Sequence, residues 1–446
     1  MSNITNPFSY GKPIDEPARF IGRRREIEQI YSRLLSAFES SSIIGERRVG
    51  KTSLLKILAD PVIQARYNLD PQKYTFVYQD FLFLDENTTP SRFWQRVLRN
   101  MRRGMSAHPQ VVSEIELALK SDSIDNYTLD DLFTLIDDEE LYIVLLLDEF
   151  EQVTRNKNFD NDFFGGLRAL AIHHNLALIT SSRQDLVKLT HSEQLRSSPF
   201  FNIFATINLR NFSEQDATDL IDLYLRDSGV RFLLSELNVI FAVAGYNPFF
   251  LQMACHHLFA AYQQGLDDVT RRRYLLEETR REGLAIFQDF WQSSSASQQI
   301  LLVVLALREL ERRAGKQLDS TQLALSEDTV ADLEKFYRRA SQSIGDLELR
   351  GLVIKNPDTS GYHLFSTEFC EWLADEIVGD TTDLRAWRDW QKDETLVGTL
   401  PVKLQDLLAQ VVQGLNPNYR GILGNWLLEP GTASAALSLI QTFVTR

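Results

Sequence analysis

The 446-residue sequence is poor in several things, and each shortage excludes a class of protein. It has two cysteines, Cys255 and Cys370, both inside apolar helical patterns and without a partner at metal-ligand spacing; a disulfide framework is excluded and two buried thiols are expected. It has no long hydrophobic run. The longest, "LYIVLLL" at 141–147 and "ILLVVLAL" at 300–307, fall far below the roughly 18 to 20 residues that a membrane-spanning helix needs. The N-terminal "MSNITNPFSYGKPIDEP" lacks the basic start, apolar centre and small-residue cleavage site of a secretory leader, so the chain is expected to stay in the cytoplasm. Positive charge is short as well. A net charge of −14 opposes non-specific attraction to a polyanion, which removes nucleic acid as the default partner. There is no internal repeat and no low-complexity tract.

What is present begins with a phosphate-binding pattern. The segment "SSSIIGERRVGKTSLLKIL" reads as a short strand, a loop carrying Gly45 and Gly50, and a helix that turns Leu54, Leu55, Ile57 and Leu58 inward. It matches G-x-x-x-x-G-K-[ST] in the strand, loop and helix context that the pattern requires. The glycines let backbone N–H groups approach phosphate oxygens, and the helix starting at the loop presents its positive dipole end. The run Gly45, Glu46, Arg47, Arg48, Val49, Gly50, Lys51, Thr52, Ser53 is therefore the candidate nucleotide contact. Within it Lys51 bridges to the outer phosphates and the Thr52 hydroxyl is placed to ligate magnesium. Ser53, one helical step round, has no ligand role assigned to it.

An acidic strand end completes the pattern. "LYIVLLLDEFEQV" is a continuous apolar run, as a strand buried on both faces should be, and it stops at Asp148 and Glu149. Ligands of open parallel sheets bind at the carboxyl ends of strands. Asp148 is expected to hold magnesium through water and Glu149 to polarise the attacking water as general base; the rival is that the two acids merely cap the next helix. A third strand, "NLALITSSRQDL", closes in Ser181, Ser182 and Arg183, and Arg183 is the candidate γ-phosphate sensor, with a solvated loop arginine as the alternative. "YTFVYQDF" (74–81) and "IFATINL" (203–209) bring the count to five strands, with helices such as "SRFWQRVLRNM" between them. The alternation predicts a doubly wound α/β core with a parallel sheet.

The regions around that core read as helical. Residues 1–39 form a lead in which Arg23 to Arg25 read as a solvated first turn before Ile27, Ile30, Tyr31 and Leu34 recur at helical spacing; residues 40–210 form the core. Residues 211–290 form a helical lid: Ser213 is an N-cap with Asp216 three residues on, Gly245 ends one helix, and Asn247 with Pro248 opens the next. His256 and His257 read as packing or surface residues. Residues 291–379 read as helices followed by two short strands about the turn "NPDTSG" and a further helix, which suggests a winged helix. Winged helices often bind DNA, but residues 300–378 hold fourteen acidic against nine basic residues and mix Asp332, Glu334, Lys335, Arg338 and Arg339 on the second helix, so protein packing is the better reading. Residues 380–446, with Trp387, Trp390 and Trp426, are of helical type and carry no chemistry that can be named.

Taken in order, "FIGRRREIE", "GERRVGKTS", "LLLDEFEQV", "ITSSR" and "AGYNPFFLQ", followed by a winged helix, resemble the STAND class of AAA-related ATPases, most closely the small bacterial and archaeal AAA-like ATPases. The resemblance covers roughly residues 18–378. It implies a cytoplasmic molecular switch that binds ATP or ADP with magnesium, hydrolyses slowly, and assembles with protein partners or with copies of itself. It puts Phe20, Ile21, Gly22 and Arg23 along the adenine, closes Pro248 over the base from the lid, and assigns Arg183 to the γ-phosphate. There are departures. The second-sensor arginine of AAA+ motors is missing between Pro248 and Leu258, His363 is a loose counterpart of a switch histidine, and Arg196 is the best candidate for an arginine acting on a neighbouring copy. No long repeat array for ligand sensing appears. Two other readings stay open, a DNA-binding ATPase of the origin-recognition kind and a non-hydrolysing ATP-bound scaffold; bacterial defence or signalling is the setting that the resemblance suggests.

Overall fold

The computed structural model describes residues 5–192, 196, 198–295, 298–299, 301–302, 305–306, 309, 342–355, 362–373 and 375. The chain divides into two compact units, Ser9–Ser228 and Met1–Phe8 with Gly229–Arg446.

The first unit is built on a five-stranded sheet: β1 (Ser41–Ile44), β2 (Tyr74–Asp80), β3 (Tyr142–Asp148), β4 (Leu176–Ser182) and β5 (Ala205–Asn208). The strands lie in the order β2-β3-β4-β1-β5, and each pairs in parallel with its neighbours. These are the five strands that the sequence predicts. β3 is apolar from Ile143 to Leu147 because both of its faces are covered. Ile143, Leu145 and Leu147 enter one core, and Val144 and Leu146 the other. The Val144 side is packed by α1 (Arg24–Ala37), α2 (Lys51–Leu58) and α3 (Pro61–Arg66). The Ile143 side is packed by α4 (Pro90–Gly104), α5 (Pro109–Lys120), α6 (Asn126–Asp138) and α8 (Asn161–His173), while the short α7 (Glu151–Arg155) follows β3 directly. α4 shows why such segments are helical. Thr89 caps it, accepting from the Arg92 amide, Pro90 opens it, and Phe93, Trp94, Val97, Leu98 and Met101 recur on one face and are buried; each such side chain contributes about 1.5–3 kcal/mol of burial. Asp125, Asp160 and Ser213 cap α6, α8 and α9 (Glu214–Leu225) in the same way, the last as the expected capping box with Asp216.

In the second unit α10 (Leu234–Ala244), α11 (Pro248–Gln263) and α12 (Asp268–Gln292) form a helical body. Gly245 ends α10 at φ +53°, and a Cβ there would lie 1.7 Å from the Phe365 carbonyl oxygen, so glycine is required on two counts. The Asn247 side chain caps α11 through the Phe249 and Phe250 amides, with Pro248 at the first helical position as read from the sequence. Phe8 of the N-terminal segment is buried here and stacks on Phe232, while the His256 ring N–H donates to the Phe8 carbonyl at 2.8 Å. His257 Nε2 lies 3.7 Å from Glu282, and the carboxylates of Glu278 and Glu282 that converge on it are already paired with Arg281. Cys255 and Cys370 are buried thiols, as expected, and burial pushes the Cys255 thiol upward.

β6 (Val353–Lys355) and β7 (Tyr362–Leu364) make an antiparallel hairpin, followed by α13 (Thr367–Trp372). The hairpin and the helix after it match the expected strands and helix. The turn 356–361, the predicted second helix with Asp332 to Arg339, and residues 380–446 with Trp387, Trp390 and Trp426 lie outside the described residues. Among the described residues no helix is long and apolar enough to cross a membrane.

Candidate nucleotide site

β1 runs into the Gly45–Gly50 loop and α2 begins at Lys51. The turn is tight for local reasons. The Gly45 N–H donates to Ser182 O at 3.1 Å, so the loop leaves the sheet still bonded to β4, and a Cβ on Gly45 would meet Leu209 O and Val49 Cγ1 at 2.8 Å. Arg48 at φ +67° and Gly50 at φ +102° then fold the chain back, and no side chain caps α2. The first amides of α2 are therefore left for an external acceptor. Lys51 is 5% exposed and its Nζ donates to the carbonyls of Gly45 and Glu46 at 2.9 and 3.2 Å, which folds the side chain over the loop. The Ser53 hydroxyl accepts from the Ile14 amide at 2.9 Å, in the strap of residues 9–19 that precedes α1. Ser9, Lys12, Ile14, Asp15, Arg19 and Lys56 line a cavity of about 260 Å³ on that side of α2.

Asp148 ends β3, the strand paired directly with β4. It is buried, and its two oxygens are held separately: Oδ2 accepts from the Tyr78 hydroxyl at 2.8 Å and Oδ1 from the Ser181 hydroxyl. β2 and β4 each supply one of these hydroxyls, so three strand ends fix one carboxylate. The rival reading of these acids as helix caps fails in the structure, because the N-cap of α7 is Phe150 and no side chain caps it. Glu149 sits at φ +54°, and its N–H donates to Ser181 Oγ at 3.1 Å. Burial raises its carboxyl above the usual range, the charge of Glu151 adds to this, and Lys51 opposes it. Arg183 follows β4. Its N–H donates to Glu151 Oε1 at 3.2 Å and its guanidinium pairs with Glu46 at 2.9 Å, so it turns toward the loop and is not a solvated loop arginine.

The lead segment corrects one expectation. Arg24 and Arg25 are exposed, but Arg23 is not part of a solvated turn: it is 8% exposed at φ +65°, stacks over the Phe212 ring at 4.7 Å and donates to the Val49 carbonyl of the loop at 3.1 Å. Burial lowers its pKa to about 10, against the pull of Glu26 and Asp216. The run of arginines hides this, because the left-handed Gly22–Arg23 pair that turns the side chain inward leaves no mark in hydropathy. Phe20 is half-buried against the α1–α2 core, and Ile21 and Gly22 are half-buried beside it. Thr52 is half-buried at the start of α2, while Arg47 and Arg48 are exposed on the loop. Pro248 and the exposed His363 belong to the other unit, and Arg196 is exposed. Sequence reading missed Tyr78 and Glu151. Tyr78 had a signal, since "VYQD" turns polar at the carboxyl end of a predicted strand.

The loop, the acidic strand end and the polar end of the next strand thus meet on three adjoining strands. Residues 33–304, more than half of the chain, match the family described as Novel STAND NTPase 2. The chain belongs to this family. As a STAND NTPase it has the fold of a P-loop nucleotide-binding core with parallel strands. Among solved structures it is similar to the Aeropyrum pernix ORC2 protein in its ADPNP–ADP complexes, at 15% identity and a TM-score of 0.52, covering 84% of this chain and 98% of that one. It is also similar to a Walker-type ATPase of Pyrococcus abyssi, at 13% identity and a TM-score of 0.49 over 81% of this chain and 98% of that one. At 15% identity the likeness to the ORC2 protein is one of fold. No curated protein matches the sequence.

Proposed function

We propose that this STAND NTPase is an ATP-binding, slowly hydrolysing switch whose domain arrangement or assembly follows its nucleotide. One observation carries the reading: the Gly45–Gly50 loop with the first residues of α2, the Asp148 carboxylate and Arg183 lie at the carboxyl ends of β1, β3 and β4, where amide donors, a cation ligand and a guanidinium can act on one triphosphate. The groups fit what they would hold. The uncapped start of α2 suits phosphate oxygens, and Thr52 and Asp148 offer the hard oxygen donors that magnesium takes. When bound, magnesium neutralises charge on the outer phosphates.

The residues of the chain do the rest. Lys51 leaves the loop carbonyls for the phosphates, Tyr78 and Ser181 keep Asp148 in one orientation, and Arg183 contacts the γ-phosphate. Glu149 takes a proton from the attacking water, helped by a carboxyl that burial has made more basic. The nucleoside lies toward the strap and Phe20 to Arg23, with Pro248 brought over the base. The γ-phosphate then shifts the population of two arrangements of core and lid, and hydrolysis resets it. The domain boundaries 1–39, 40–210, 211–290, 291–379 and 380–446, the winged helix and a cytoplasmic location belong to this proposal. So do protein partners or further copies as the assembly targets, with exposed Arg196 as an arginine available to a neighbour.

Titration with a fluorescent ATP analogue tests the reading. Lys51→Ala is expected to weaken binding by at least about 100-fold through the lost charge-assisted hydrogen bonds; equal affinity in the variant would sink the assignment.

A further inference from the structure

A carboxylate inside a phosphate-binding loop runs against the charge of its surroundings, because loop amides, Lys51 and the α2 dipole all favour an anionic ligand. Glu46 is nevertheless 3% exposed, which rules out a solvated side chain. Its Oε1 accepts from the Arg183 guanidinium at 2.9 Å and from the Arg47 N–H at 2.8 Å. Arg183 is rooted at its other end by the hydrogen bond from its N–H to Glu151. β4, which runs into Arg183, is paired in register with β1, which runs into the loop, Ser182 opposite Ile44. The guanidinium therefore has a fixed origin and an anionic partner that the loop itself provides.

A γ-phosphate calls on the same guanidinium. Arginine binds carboxylate and phosphate through one fork of N–H donors, and two anions held at one fork repel each other. We infer that Glu46 is a built-in competitor of the γ-phosphate: it holds Arg183 when no γ-phosphate is bound, and ATP has to displace it. The inference rests on the reading of Arg183 as the γ-phosphate contact, and it deepens that reading by naming the residue that sets the preference of the site for triphosphate over diphosphate. Without the Glu46 carboxylate, the cation of Arg183 lacks that partner until a triphosphate arrives, so the balance moves toward ATP. A plain brace of the loop would behave differently. Loosening a brace weakens ATP and ADP together and leaves their ratio alone.

The test uses the full chain and measures dissociation constants for ADP and for a non-hydrolysable ATP analogue in the wild type, Glu46→Gln, Glu46→Asp, Arg183→Gln, and Glu46→Gln combined with Arg183→Gln. Glu46→Gln is expected to raise the preference for the triphosphate on the order of tenfold. Glu46→Asp, which keeps the charge but draws it back, moves it the same way by less, and it decides the question if Glu46→Gln does not fold. In the Arg183→Gln background the Glu46 substitution is expected to leave the ratio unchanged, because the interaction it removes is already gone. A ratio that stays constant or falls in the Glu46 variants, or one that rises equally without Arg183, overturns the inference; a wild-type chain that binds neither nucleotide overturns the reading of the site itself.

Discussion

Glu236 and Glu151 are both carboxylates with almost no exposure, 0% and 1%, and their surroundings treat them in opposite ways. Glu236, on α10, accepts from Arg271 Nε at 2.7 Å, from the Tyr262 hydroxyl at 2.7 Å and from the Leu233 amide at 2.8 Å, and Arg271 lies over the Tyr262 ring at 4.1 Å. Its charge is paired and three helices are tied together through it. Glu151 places Oε1 on the Arg183 amide, but Oε2 is buried without a hydrogen-bond partner, and Glu149 adds a second negative charge nearby. Burial of a charge therefore does not by itself mark a site. A saturated buried carboxylate is scaffold, whereas an under-satisfied one keeps an uncompensated cost that a ligand can relieve. The contrast separates the helical body from the nucleotide site more sharply than composition does.

The largest expected effect lies on the site side of the contrast. Glu149→Gln should lower steady-state phosphate release by about 10² to 10⁴ while ATP still binds, since a positioned base contributes on that scale. Normal hydrolysis in this variant would show that Glu149 is not the base. On the scaffold side, Glu236→Ala should destabilise the second unit by about 3–5 kcal/mol in denaturant unfolding, because Arg271 and Tyr262 lose their buried partner. Nucleotide affinity should not follow it, and a loss well under 1 kcal/mol would place Glu236 outside the scaffold.

The smallest effect sharpens the contrast by pH. Burial, and then Glu151, raise the Glu149 carboxyl above its ordinary 4.5, and the base works deprotonated. The rate should therefore fall as pH drops through that raised value. Glu151→Gln removes one of the raising charges, so the acid limb of the rate profile should move to lower pH. A limb that stays in place would mean that the two carboxylates do not interact.

The sequence made the fold legible where one element carries its own punctuation. The loop "GERRVGKTS" names itself, β3 is a closed apolar run ended by acids, and Ser213, Gly245 and Asn247 with Pro248 mark helix ends at the positions where the structure has them. What stayed hidden depends on pairing between distant strands. Tyr78 and Ser181 meet on Asp148 through register, and Glu46 meets Arg183 across 137 residues of sequence. No local pattern encodes such a meeting. Arg23 was misread for a related reason: three consecutive arginines look solvated, and a left-handed backbone pair decides which of them turns inward.

If nucleotide state controls assembly, particle mass in solution follows the nucleotide. Glu149→Gln would be measured with ATP and magnesium, with ADP, and with duplex DNA added to a parallel sample. A larger particle is expected with ATP than with ADP, with no need for DNA; a particle that grows in the presence of DNA alone, or keeps one mass in every sample, would rule out nucleotide-controlled assembly.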